Sequence, residues 1–323
     1  TIILLSTPGA RVGFYYEIWA SADPGWTRIH VPATQCPRIS PEFLAQMRRE
    51  MHPDDFAREF MAEFGHSRTM LYREENYLAA VSAEIPVFDM VTRYAITGHG
   101  YLGQRALLQN GQSVPANGFY VGVDLGQSRN ASTLCIIEYR LDPTGKHDPM
   151  TLAPHYNVSF RLRWLQTFPL ETPYTDIADI IADLVQHTEL RHRAVIVIDA
   201  GGVGRGILDA LKRHNLPATI KGVQITQGSQ ITESGGLTNM PKQDLLIPLD
   251  LLLRKGVLKI AAACPELDNF RRELLGIERV RSGGGRWTYT GKTNGSDDLV
   301  MAVGLAVGYA CHLHPPPGLW ENL

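Results

Sequence analysis

Three acidic positions stand where they could do chemistry together. Asp124 ends the β-type run Phe119-Tyr-Val-Gly-Val-Asp124, and Asp199 ends the apolar, β-branched run Ala194-Val-Ile-Val-Ile-Asp199. Asp297 and Asp298 follow Gly295-Ser296 and open an apolar stretch of helical length that reaches Cys311. Open α/β sheets bind ligands at the carboxyl ends of their strands. A helix start packed on the same edge would therefore bring three carboxylates together. Such a cluster repels itself unless it holds cations, and oxygen-rich sites with open positions suit Mg²⁺ or Mn²⁺. Two such ions can activate a water and steady the leaving oxygen of a phosphodiester. Taken singly, an Asp at a strand end is a turn former and an Asp at a helix start is a cap. The combination is what points to metal chemistry.

Two glycine-bearing segments imitate nucleotide motifs and fail on spacing. Asp199-Ala-Gly-Gly-Val-Gly-Arg-Gly206 follows a strand and opens a helix, but no acid between Asp209 and Glu233 is available to bind a ribose. Its glycines suit close approach of a phosphate backbone or a metal beside Asp199, and Arg205 is a candidate phosphate contact. Thr290-Gly-Lys-Thr293 lacks the first glycine of a P-loop, because Arg286 occupies that place. Around it Arg271, Arg272, Arg279, Arg281, Arg286 and Lys292 interleave with Trp287 and Tyr289 and flank glycines 283–285. This pattern predicts a hairpin near the Asp298 end whose cations contact a nucleic-acid backbone with salt-dependent affinity. A merely solvated hairpin is the competing reading. His312 and His314, before Pro315, read as a helix end rather than a metal site.

The elements that must position these residues change rhythm near residue 117. Before it, Thr1-Ile-Ile-Leu-Leu5 predicts a buried strand, and Ser40-Pro41-Glu42 starts a helix with a Ser cap and Pro in the first turn. A second helix is expected at about 53–63, with Asp54 and Asp55 where the helix dipole favours acids. Residues 81–117 are irregular and read as a linker. After it come strands at 119–124, 132–139 and 155–168, the first two joined as a hairpin. Ile177, Ile180, Ile181, Leu184 and Val185 then recur at helical spacing. Alternating strands and helices follow: 194–199, 203–213, 218–225, 242–255, 257–260, 265–276, 286–290 and 296–311. Strands first, then alternation, predicts an α/β sheet covered by helices.

Composition bounds the function classes. At 323 residues the chain is about two domains long, and 44% hydrophobic with 20% charged residues excludes a disordered protein. Residues 1–117 hold ten Arg, no Lys and twelve acids, and the remainder holds twenty-one charges of each sign. Neither part is a basic tail, so a nucleic-acid surface must be a local patch. Cys36, Cys135, Cys264 and Cys311 form no C-x-x-C pair, which argues against a zinc ribbon or disulfide scaffold and suits a reducing cytosol. The apolar run from Leu299 to Cys311 is short of the roughly 20 residues of a membrane span. No signal peptide is recognisable, and the opening reads as a piece that begins inside a domain.

Taken in order, Tyr120-Val-Gly-Val-Asp124, Val195-Ile-Val-Ile-Asp199 and Ser296-Asp-Asp-Leu-Val-Met-Ala302 resemble the nuclease domain of the tailed-phage terminase large subunit, the genome-packaging motor. Upstream, Leu5-Ser-Thr-Pro-Gly9 followed by Gly13-Phe-Tyr15 resembles the coupling motif that closes its ATPase core. The stretch Trp26 to Val31, then Phe43 to Phe64 with Phe56-Ala-Arg-Glu-Phe-Met-Ala-Glu-Phe64, resembles the join between motor and nuclease. The resemblance implies three parts: residues 1–80 from the end of a P-loop ATPase domain, a linker at 81–117, and an RNase H-like α/β endonuclease domain at 118–323. It implies a metal-dependent endodeoxyribonuclease that cuts concatemeric double-stranded DNA during packaging. Asp124 would be shared by two Mg²⁺ or Mn²⁺ ions, and Asp199 and Asp298 would complete the site. Asp297 is the alternate ligand. Motif alignment prefers Asp298, since helical periodicity does not separate the two. Small terminase subunit and portal protein would be partners, in the cytoplasm of a bacterial host. The chain lacks Walker A and B motifs, so ATP hydrolysis is expected only of a full-length protein, where Ser6 and Thr7 would sense nucleotide. Two other readings stand. Gly122-Val-Asp-Leu-Gly126 with Gly201-Gly202 also resembles sugar-kinase, chaperone and actin-type ATPases, although those repeat the fold and one copy is present here. A non-catalytic DNA-packaging subunit would keep the carboxylates structural.

Overall fold

The computed structural model describes residues 2–8, 14–21, 23–51, 53–64, 68–90, 105–107, 113–115, 117–126, 130–147, 149–150, 154–202, 204–213, 215–228, 230–281, 287–291, 296–316 and 319. In chain order the elements are α1 (Phe14–Ala20), α2 (Pro41–Glu50), α3 (Pro53–Glu59), β1 (Arg68–Met70), α4 (Glu74–Ala80) and β2 (Val81–Ser82). A short pair follows, β3 (Arg105–Leu107) and β4 (Ser113–Pro115), then β5 (Asn117–Asp124), β6 (Thr133–His147), β7 (Pro154–Thr167) and α5 (Tyr174–Leu184). Next are β8 (Ala194–Asp199), α6 (Gly204–Arg213), β9 (Thr219–Thr226), β10 (Thr232–Ser234), β11 (Leu237–Pro241) and α7 (Lys242–Arg254). The chain closes with β12 (Leu258–Ala261), α8 (Leu267–Leu274), β13 (Glu278–Arg281), β14 (Trp287–Thr290) and α9 (Asp298–Leu313). Two compact units result: one of Thr1–Leu71, Glu278–Thr290 and Trp320–Leu323, the other of Tyr72–Ile277 and Gly291–Leu319.

In the smaller unit Ser40 caps α2 by accepting the Phe43 N–H at 3.2 Å, with Pro41 in the first turn. Aromatic residues do the packing. Phe56 stacks on Phe60 at 5.3 Å, and Phe64 takes Tyr16 edge-on at 5.1 Å and Trp19 at 5.9 Å. β1, β13 and β14 form an antiparallel sheet. The buried strand expected at residues 1–5 is not there. Ile2, Ile3 and Leu5 are 73%, 84% and 97% exposed, and residues 2–8 form no strand. Among the described residues no strand pairs with them, and apolar side chains alone cannot satisfy a strand's backbone groups.

The larger unit is built on a nine-stranded sheet in the order β10-β11-β9-β8-β5-β6-β7-β12-β2. At its centre β5, β6 and β7 run as an antiparallel meander, while β8 and β9 add to β5 in parallel. This is the RNase H-like arrangement. β2 extends the sheet beside β12 and Phe88 is fully buried in the core, so the unit takes in residues that the sequence reading gave to the first segment and the linker. The middles of β5 and β8, Phe119–Val123 and Ile196–Ile198, are buried, as strands covered on both faces must be. α9 lies on β5 and β6, and every residue from Asp298 to Cys311 is buried, which explains its lack of a polar stripe. Gly122 permits that approach: a Cβ there would sit 2.0 Å from the Ala302 carbonyl oxygen.

Candidate metal centre

Strand register places the first two carboxylates. β5 and β8 are parallel with Val123 opposite Ile198, so Asp124 and Asp199 end adjacent strands at one sheet edge. The Asp199 carboxylate accepts the Gly201 N–H at 2.8 Å, which fixes the tight turn into α6. Gly204 closes that turn, since a Cβ there would lie 1.8 Å from the Asp199 carbonyl oxygen. The glycines after Asp199 therefore serve a turn packed against the site.

The third carboxylate arrives with α9. Thr133 pairs with Asp124 across β5 and β6, and its hydroxyl donates to the Asp298 carbonyl oxygen at 2.8 Å. Cys135, two residues on, donates its thiol hydrogen to the Ala302 carbonyl at 3.3 Å. These contacts pin the first turn of α9 to the strand that faces Asp124. Asp298 is 7% exposed, and its carboxylate accepts the Ser296 hydroxyl at 2.6 Å.

Two residues that the sequence reading left unassigned complete the surroundings. Glu273 of α8 accepts the Leu299 and Val300 N–H groups at 2.8 and 3.3 Å, so its carboxylate caps α9. Lys242, the first residue of α7, pairs with Asp297 at 2.8 Å. A signal for both was present. An acid in a last helical turn and a lysine in a first turn each oppose the helix dipole, so each must be compensated by something outside its own helix.

Burial and mutual repulsion oppose ionisation of the group. Burial, then the facing charges of Asp199, Asp298 and Asp297, hold the Asp124 carboxyl well above the usual range, with Lys242 pulling the other way. Burial also raises Asp199, against the Gly201 hydrogen bond, and raises Asp298, against Ser296. Glu273 is pushed up to about 7 by burial, with the Asp298 charge adding to it. Oxygen-only donors that destabilise one another suit a hard divalent cation. In chemistry the set fits. As the side chains stand, no group of three His, Cys, Asp or Glu among the described residues encloses a metal position.

The expected basic residues fall out differently. Arg205 is exposed in the first turn of α6, beyond Asp199. Arg279 is 7% exposed, pairs with Asp55 at 2.8 Å and lies 4.8 Å over the Trp287 ring. Its charge is neutralised inside the smaller unit, where it anchors the hairpin. Arg281 stands opposite Trp287 in that hairpin, while Arg286 and Lys292 lie outside the described residues. Ser6 and Thr7 are exposed, and the Ser6 hydroxyl donates to the Thr7 carbonyl at 3.0 Å. All four cysteines are free thiols, and among the described residues no helix is long and apolar enough to cross a membrane.

No family model matches the chain, and no curated protein matches it. Solved structures do. The large terminase from a thermophilic bacteriophage, in complex with ADP, is 10% identical with a TM-score of 0.53, over 93% of this chain and 60% of that one. Another crystal form of the same terminase gives 11% and 0.52, over 94% and 61%. The large terminase nuclease of thermophilic phage G20c with bound magnesium is 21% identical with a TM-score of 0.40, over 60% of this chain and 82% of that one. The chain thus spans about three fifths of the length of the first of these terminases. Over nearly its whole length, the chain has the fold of a phage large terminase.

Proposed function

We propose that the chain is the nuclease-bearing part of a phage terminase large subunit, an endodeoxyribonuclease that cuts concatemeric double-stranded DNA. The observation that carries this is that Asp124 and Asp199 end adjacent parallel strands while Thr133, opposite Asp124, holds the start of α9 at Asp298, on a fold shared with large terminases. Mg²⁺ or Mn²⁺, when bound, would supply an activated water and charge stabilisation at the leaving oxygen. The chain's own residues do the rest. Asp124, between the other two, offers the carboxylate that both ions would share. Asp199 and Asp298 close the two sides, with Ser296 orienting Asp298. Arg205, Arg281, Arg286 and Lys292 are the cations proposed to contact a phosphate backbone, and affinity for DNA should fall with salt. Small terminase subunit, portal protein and a host cytoplasm belong to the same proposal, as does nucleotide sensing by Ser6 and Thr7 in a longer protein.

The test is supercoiled plasmid incubated with the chain and Mn²⁺ or Mg²⁺, with EDTA and Asp124→Asn as controls. Nicking and linearisation that need the cation and vanish in the variant, which keeps side-chain volume and removes charge, are the expected result. Cleavage by Asp124→Asn at the wild-type rate would remove Asp124 from the site.

A further inference from the structure

We propose that Lys242 is a positioning residue that holds Asp297 away from the metal centre and so makes Asp298 the α9 ligand. The inference rests on the metal-dependent reading above and deepens it. Asp297 and Asp298 are chemically identical neighbours at the start of one helix, yet the structure treats them differently. Asp297 is bound at 2.8 Å by the Lys242 ammonium, with both side chains about a quarter exposed, at 26% and 23%. Asp298 is buried, its carboxylate takes a hydroxyl rather than a cation, and its carbonyl is fixed to Thr133 opposite Asp124.

The position of Lys242 argues in the same direction. As the first residue of the 13-residue α7, the lysine faces the positive end of that helix, an unfavourable arrangement for a cation. The acidic group of α9 supplies the compensating charge. A carboxylate engaged by an ammonium ion keeps an oxygen occupied and its charge offset, so it competes poorly for a divalent cation. Removing the ammonium ion releases Asp297 to take the place of its neighbour.

The consequence is read by calorimetric titration of the full chain with Mn²⁺, which does not depend on turnover. With Lys242 present, Asp298→Asn should cost about tenfold or more in Mn²⁺ affinity, the scale of losing an ordered ligand interaction, and Asp297→Asn only a few-fold. In the Lys242→Met background Asp298→Asn should cost no more than about threefold, because Asp297 can substitute; this coupling is the signature of positioning. Lys242→Arg should restore the wild-type ranking. An equal cost of Asp298→Asn in both backgrounds would reduce Lys242 to a through-space charge and overturn the proposal, as would equal costs for Asp297→Asn and Asp298→Asn beside an intact lysine. Circular dichroism melts establish that each variant is folded. A folded wild-type chain that takes up no Mn²⁺ would instead overturn the metal reading itself, and this inference with it.

Discussion

Asp124 is a carboxyl facing three others, raised chiefly by burial and then by their charges. Asp199, Asp298 and Glu273 are raised too, the last to about 7. For an acid whose pKa is higher in the folded state, the folded protein binds the extra proton, so stability falls as pH rises through the folded value. Glu273 makes its contribution fully below its ordinary value of 4.5 and loses it as pH rises through about 7. Metal-free protein should therefore melt at a higher temperature at pH 6 than at pH 8. Mg²⁺ should reverse the order by binding the ionised cluster, adding more stability at pH 8 than at pH 6. Differential scanning calorimetry across that range checks both signs, and a Mg²⁺ effect equal at the two pH values would detach the cation from these carboxylates. Asp124, Asp199 and Asp298 were legible in the sequence because strand ends and helix starts can be read from hydrophobic runs. For Lys242 and Glu273 the sequence showed a charge opposed to its own helix dipole but not the partner that offsets it. Each meets its partner only when helices 55 or 26 residues apart in sequence bring their ends together.

At the scale of elements, the site depends on how closely α9 can lie on β5. Gly122 sets that distance, because an added Cβ would come within 2.0 Å of the Ala302 carbonyl and 3.1 Å of the Ala306 methyl. Backbone cannot give way as a flexible side chain can, so overpacking here should cost at least the usual 1–3 kcal/mol or so. Gly122→Ala is expected to lower the urea midpoint accordingly. It should also weaken Mn²⁺ binding, because the Asp298 end is displaced with the helix. A variant as stable as wild type would mean that α9 tolerates a different seat on the sheet. The elements themselves were largely readable. The runs around 119–124, 194–199, 203–213 and 242–255 fold as expected, since β-branched alternation and helical spacing are local signals. The short strands β10 and β2 at the sheet edges, and β11 beside β10, escaped because so few residues carry no period. The apolar start failed for the opposite reason: hydrophobicity without a neighbouring strand makes no sheet.

At the scale of the whole molecule, chain order and spatial order part company. The hairpin β13–β14 falls between α8 and α9 in sequence but belongs to the smaller unit, where it pairs with β1 and where Arg279 meets Asp55 across 224 residues. Its cluster of cations reads in sequence as a nucleic-acid patch, yet one member is an internal anchor, a distinction that only tertiary pairing makes. The nine-stranded sheet likewise gathers strands from residue 81 to residue 261, which gives Asp124, Asp199 and Asp298 a common edge. Crystals of the chain grown with Mn²⁺ would show whether that edge holds the cation. Anomalous density bounded by the Asp124, Asp199 and Asp298 carboxylates, and lost in Asp124→Asn, is the predicted result. Manganese bound elsewhere, or none on this edge in a protein that still cuts DNA, would contradict it.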